Sequence, residues 1–228
     1  MSATFVFVHG GFGSPAELAP TVPHLEARGH RVINVDLPSE RADATLEDYA
    51  DAVCRAMEGA ASPLVLVAHS AGGATIPLAA ARTRVDRLVF AAAVVPRPGE
   101  PISEAVGPAT REAIMAVSID NGDGTRSFDL DLLASLVLPE ERVGYLAFLR
   151  ATQRNQGWRA IEQPWPGTGI PDVPRSYILC TEDQIIPPER QRALAASLGV
   201  TPVEIASEHS VFATKPEELA VILDSLVG

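Results

Sequence analysis

Ser70 lies in the run Ala68-His69-Ser70-Ala71-Gly72-Gly73. Small residues two before and two after a serine let a strand turn sharply into a helix, leaving the hydroxyl exposed at the corner. The same spacing recurs at Ala195-Ala196-Ser197-Leu198-Gly199, so the pattern alone does not choose between the two serines. Context does. Ser70 follows the apolar run Pro63-Leu64-Val65-Leu66-Val67 and precedes a helical pattern, whereas Ser197 falls in the last turn of a helix that Gly199 ends.

A serine hydroxyl is a poor nucleophile until a base takes its proton. Of the five histidines, His24 and His30 flank the first crossover and are expected to face solvent. His9 closes the first strand, and His69 is part of the elbow itself. His209, in Glu204-Ile205-Ala206-Ser207-Glu208-His209-Ser210, follows the last strand at its carboxyl end. That is the edge at which open α/β sheets bind ligands. A base in turn needs an acid to fix its tautomer. The strand Tyr177-Ile178-Leu179-Cys180-Thr181 runs into Glu182-Asp183, so two carboxylates compete for this role. Asp183 is the choice and Glu182 the alternative, while Glu208 reads as a solvated neighbour.

These residues have to be held by a scaffold, and the chain supplies one. Short apolar runs at 4–8, 31–35, 64–68, 87–95, 176–181 and 202–206 read as strands. Helical patterns fall between them, at 14–28, from Thr45 to about Glu58, at 71–82, 188–198 and 216–226. Thr45 is an N-cap with Asp48 three residues on. Strand and helix alternating without hairpins imply a parallel sheet covered on both faces, hence an α/β class. Residues 96–173 break the pattern. They carry Asn121-Gly122-Asp123-Gly124, which is hairpin-turn chemistry, and helical stretches near 130–136 and 139–150. An excursion of that length between two strands is expected to be a lid or binding surface. The organisation is therefore one domain: a core of 1–95 and 174–228 with a cap insertion at 96–173.

Composition narrows the partners. The chain has 228 residues, 46% of them hydrophobic, and a net charge of −11. A chain of this size buries about 70% of its unfolded surface, enough for a core without staples. The acidity argues against a nucleic-acid or anionic-membrane partner. Cys54 and Cys180 are far apart with no metal-ligand spacing, so both read as core thiols of a reducing compartment, and no metal or cofactor is expected. The amino terminus lacks a signal-peptide pattern, and no run reaches the ~20 apolar residues of a membrane span. The expected setting is cytoplasmic, with a small-molecule substrate; the oligomeric state is open.

The order Ser70, Asp183, His209 and the surrounding motifs resemble the α/β-hydrolases. Within them the chain is similar to the small methyl esterases and hydroxynitrile lyases of plants and their bacterial relatives. The markers are His9-Gly10-Gly11, Leu25-Glu26-Ala27-Arg28-Gly29-His30-Arg31-Val32, Asp36-Leu37-Pro38, Thr45-Leu46-Glu47-Asp48-Tyr49, Ala68-His69-Ser70, Thr181-Glu182-Asp183 and His209. The resemblance implies a sheet of six parallel strands in the order 2-1-3-4-5-6, with helices on both faces and a small cap containing a hairpin. It also implies that Asp183 is the acid. In that order strands one and three are neighbours, so the His9-Gly10-Gly11 loop faces the Ser70 elbow. The backbone N–H groups of Gly11 and Ala71 then form an oxyanion hole, although the two glycines also read as a plain tight turn. The lyases carry threonine and lysine where this chain has Gly10 and Ser210, which favours the esterase-like form.

The function expected from all this is hydrolysis of a small, mostly apolar carboxylic ester or lactone through an acyl-enzyme. Acyl transfer, cyclisation or C–C cleavage by the same triad is one alternative, and a non-catalytic ligand receptor on the same scaffold is another. Phe12, Phe148, Trp158 and Trp165 are candidate pocket walls, with cap-core roles equally open to the tryptophans. Arg150, Arg154 and Arg159 read as a solvated face.

Overall fold

The computed structural model of the protein describes residues 2–135 and 142–227. Six strands, β1 (Thr4–Val8), β2 (Arg31–Val35), β3 (Leu64–His69), β4 (Arg87–Ala91), β8 (Arg175–Cys180) and β9 (Val203–Ile205), form one parallel sheet. Their order is β2-β1-β3-β4-β8-β9. This is the arrangement implied by the resemblance.

Alternation along each central strand builds two apolar layers, because successive side chains leave a strand on opposite faces. Val6, Val8, Leu64, Leu66, Ala68, Leu88, Phe90, Tyr177 and Leu179 point into one layer, where the helices Leu46–Ala56, Ile76–Ala80 and Pro188–Ser197 cover them. Phe5, Phe7, Val65, Val67, Val89, Ala91, Ile178 and Cys180 point into the other, under Leu18, Leu25, Phe212, Leu219 and Leu223. Strands buried on both faces explain why the sequence shows unbroken apolar runs.

Several elements end earlier than the sequence suggests, each for a local reason. The helix expected at 14–28 is three short pieces: Pro15–Leu18, a 3-10 turn Ala19–Thr21, and Val22–Glu26. Pro20 and Pro23 lack the N–H that an inner helical position donates, and each restarts the helix as a first-turn residue. Pro77 does the same after the elbow, leaving a 3-10 turn Ser70–Ala74 before the helix Ile76–Ala80. The strand expected at 87–95 stops at Ala91 because Ala92 takes φ +45°. The capping box at Thr45 and Asp48 forms as expected, with both reciprocal hydrogen bonds made.

Between β4 and its neighbour β8 the chain makes its long excursion. This carries a second, antiparallel sheet of β5 (Ser118–Asp120), β6 (Thr125–Phe128) and β7 (Gln156–Gly157). The Asn-Gly-Asp-Gly run is the β5–β6 turn, with φ +76° at Gly122 and +86° at Gly124. The helices Leu130–Ser135 and Arg142–Thr152 follow. Residues 136 and 139–141 of the two expected helical stretches lie outside the described residues. Among the described residues no helix is long and apolar enough to cross a membrane, and no cluster of His, Cys, Asp and Glu could hold a metal ion.

Candidate active site

Because the six strands run parallel, the chain leaves β1, β3, β8 and β9 at one edge of the sheet. Gly11, Ser70, Ala71, Asp183 and His209 all follow those exits. Ser70 comes directly after β3 with φ +51°, a conformation that costs a non-glycine residue energy and projects the side chain off the corner. Two close approaches shape this corner. A Cβ on Gly10 would lie 2.8 Å from Ser70 Cβ, and one on Gly72 would lie 2.6 Å from the His9 carbonyl oxygen. Glycine at both positions lets the β1 loop and the elbow touch.

His209 Nδ1 lies 2.7 Å from Asp183 Oδ2. Asp183 is buried, whereas Glu182 beside it is exposed. The Asp183 carboxylate is fully occupied. Oδ1 accepts the backbone N–H groups of Ile185 and Ile186, and Oδ2 accepts Gln191 Nε2 at 2.8 Å as well as His209. With Nδ1 donating to the carboxylate, Nε2 is the ring nitrogen free to take a proton. Ser70 Oγ has no hydrogen bond among the described residues; such contacts commonly tighten only when substrate arrives.

Gly11 and Ala71 face one another across the corner: a Cβ on Gly11 would be 3.6 Å from Ala71 Cβ. Ala71 opens a helical turn, where N–H groups lack intrahelical partners, and Gly11 N–H has no partner among the described residues. The next N–H of the loop, on Phe12, is bound to Gln156 Oε1 at 3.1 Å. A cavity of about 10 Å³ lies beside these groups, lined by Gly11, Ala71, Thr75, Tyr49, Gln156 and Ile161 among others.

The aromatic candidates divide. Phe12 is buried and stacks on Phe128 of β6 at 3.9 Å between ring centroids, with Trp158 tilted 6.2 Å away. Trp158 is partly buried against the core and carries the Arg126 guanidinium over its ring at 5.3 Å. Trp165 sits in the core at 2% exposure, its indole N–H donated to the Ala74 carbonyl. Phe148 is half-buried on the helix Arg142–Thr152. Arg154 pairs with Asp36, and Arg159 bonds the Asp43 carbonyl, so both arginines tie the excursion to the loop after β2.

One expectation is overturned. His30 does not face solvent: it is buried edge-on to Phe5, accepts the Ala3 N–H, and contacts Asp224 at 2.8 Å. The carboxy-terminal helix folds over it, which its immediate neighbours in sequence cannot reveal. His9 is structural. Nδ1 contacts the Gly10 carbonyl and Nε2 accepts the Leu37 N–H, while burial holds its pKa below the ordinary imidazole value. Three residues around this site carry no local signal in the sequence: Glu17 beside His69, Gln156 under the loop that presents Gly11, and Gln191 on Asp183.

Residues 5–222 match the family model described as the alpha/beta hydrolase family. The chain is 28% identical to Methylesterase 7 of Arabidopsis thaliana, over 96% of this chain and 94% of that protein. It is 27% identical to Salicylic acid-binding protein 2 of Nicotiana tabacum, over 96% and 95%. A pyrethroid hydrolase from Sphingobium faniae superposes with a TM-score of 0.81 at 23% identity, covering 99% of this chain and 97% of that one.

Proposed function

The chain belongs to the alpha/beta hydrolase family and is a hydrolase of the esterase kind; from that premise we propose that it cleaves a small, mostly apolar carboxylic ester or lactone. The observation that carries this reading is the 2.7 Å contact of His209 with buried Asp183 at the same sheet edge as the strained Ser70 corner. His209 Nε2 takes the Ser70 proton as Oγ bonds to the ester carbonyl carbon. The oxyanion so formed accepts the N–H groups of Gly11 and Ala71, each worth about 3 kcal/mol to the transition state. Collapse expels the alcohol, which leaves with the proton from His209. A water then repeats the sequence on the acyl-enzyme, giving up a proton to His209 and releasing the acid and Ser70. The substrate is mostly apolar in this proposal because Leu37, Ile102 and Ile161 line the wall beside Gly11 and Ala71. Residues 96–173 are its cap, and the free Cys54 and Cys180 support a cytoplasmic setting.

The test is covalent labelling by a fluorophosphonate together with turnover of p-nitrophenyl acetate. Wild type labels and Ser70→Ala does not; Asp183→Asn loses on the order of 10³–10⁴ in kcat while Glu182→Gln stays close to wild type. A folded wild-type protein that neither labels nor turns over ester overturns the proposal and favours a receptor.

A further inference from the structure

Behind the candidate base lies a second histidine–carboxylate contact that acyl chemistry does not use. Glu17, on the helix Pro15–Leu18, is 6% exposed, and His69, the last residue of β3, is 2% exposed. His69 Nδ1 stands 3.2 Å from Glu17 Oε1. On its other side His69 Nε2 is 2.9 Å from the backbone carbonyl of His209, and the two imidazole rings lie 4.7 Å apart. We propose that Glu17 and His69 are a positioning pair for the base: Glu17 orients His69, and the Nε2–H of His69 holds the main chain of His209 so that its ring stays aligned between Asp183 and Ser70. The inference rests on the reading of His209 as base.

The hydrogen-bond inventory requires this polarity. A carbonyl only accepts, so His69 Nε2 carries a proton. Nδ1 then stands at ion-pair distance from Glu17, outside hydrogen-bond alignment, either as a bare lone pair against a carboxylate, which is repulsive, or as a protonated N–H attracted to it. The titratable groups around the pair are Glu17 from the first helix, Asp183 and His209 from the loops after β8 and β9, and His9 from the loop after β1. Burial pushes Glu17 up and His69 down, yet their mutual attraction prevails in both: Glu17 is held below the ordinary carboxylate value and His69 above the ordinary imidazole value. The loop leaves room for the carboxylate, since a Cβ on Gly13 would collide with Glu17 Oε2. Phe212 closes the site with its ring 5.7 Å from that of His69.

A positioning role moves kcat and leaves KM alone. Glu17→Ala is expected to lower kcat about 10- to 100-fold, the scale of an ångström-sized misplacement of a reacting group, when rates are taken per fluorophosphonate-labelled serine. Glu17→Gln, whose amide donates to a neutral Nδ1, restores most of that loss. Histidine-labelled NMR supplies a readout that does not depend on activity. In wild type His69 keeps both ring N–H protons at a pH where free histidine is neutral; in Glu17→Ala the Nδ1 proton is gone and the His209 signals shift. A wild-type kcat per labelled serine in Glu17→Ala overturns the inference, as do unmoved His209 signals. Should wild type fail to label at all, the hydrolase reading falls, and the NMR comparison alone decides whether this pair positions His209.

Discussion

At the scale of single residues, the corner around Ser70 is governed by what is missing from its neighbours. Gly10 has no Cβ, and any Cβ there would press on Ser70 Cβ at 2.8 Å. Gly10→Thr, the residue that the resembling lyases carry, is therefore expected to displace the serine and reduce ester turnover at least tenfold. Fluorophosphonate labelling slows in parallel, and thermal unfolding checks that the fold survives. Ser70, Asp183 and His209 were legible in the sequence as candidates because each lies within four residues of a strand end, and strand ends announce themselves by an apolar run meeting a loop. The competition between Asp183 and Glu182 was not. Adjacent residues at the end of a strand leave on opposite sides, and only the three-dimensional partners, here Gln191 and the N–H groups of Ile185 and Ile186, tell which side faces inward. Glu17 escaped for the same reason: its partner is 52 positions away, and nothing local to either residue names the other.

At the scale of elements, prolines decide where helices break and a two-residue strand decides how the excursion attaches. Pro20, Pro23 and Pro77 were visible in the sequence, yet the apolar spacing around them reads as continuous helix; the missing N–H outweighs the periodicity. The β5–β6 hairpin was legible from its Asn-Gly-Asp-Gly turn, whereas β7 is too short to leave a pattern. Its two residues nevertheless do much of the joining. Gln156 accepts the Phe12 N–H and donates to the Tyr49 hydroxyl, which burial keeps un-ionised with a pKa pushed up to about 12. Gly157 donates to the Ser39 carbonyl so closely that any Cβ would strike the Arg41 backbone. Gln156→Leu fills the space but leaves the Phe12 N–H and the Tyr49 hydroxyl unpaired. The expected outcome is a loss of about 1–3 kcal/mol in stability per unpaired group, measured by urea denaturation, and a fall in kcat larger than any change in KM.

At the scale of the whole molecule, stability should carry a pH signature of the Glu17–His69 pair. The depressed Glu17 carboxyl stabilises the fold fully above its ordinary value of 4.5, and this contribution is lost as pH falls through its lower folded value. The raised His69 imidazole stabilises fully below its ordinary value of 6.5, and this contribution is lost as pH rises through its higher folded value. Both are complete only between those limits. The difference in unfolding free energy between wild type and the double variant Glu17→Gln, His69→Asn, which lacks both titrations, should therefore peak between pH 4.5 and 6.5 and decline on either side. A flat difference would falsify the ion pair. The global architecture was the most legible level of all, since six apolar runs and the spacing of their loops suffice for a doubly wound sheet. The attachment of the excursion to that sheet was the least. Gln156 fastens the backbone of the loop that presents Gly11, and Phe12 of that loop stacks on Phe128 from the neighbouring strand. In the proposed function, the surface that selects a substrate and the donors that stabilise its charge thus share a seam. Selection for a new substrate by changes in β6 or β7 would be paid in turnover, so successful variants of this scaffold should accumulate their substitutions in the helices of the excursion and spare its sheet.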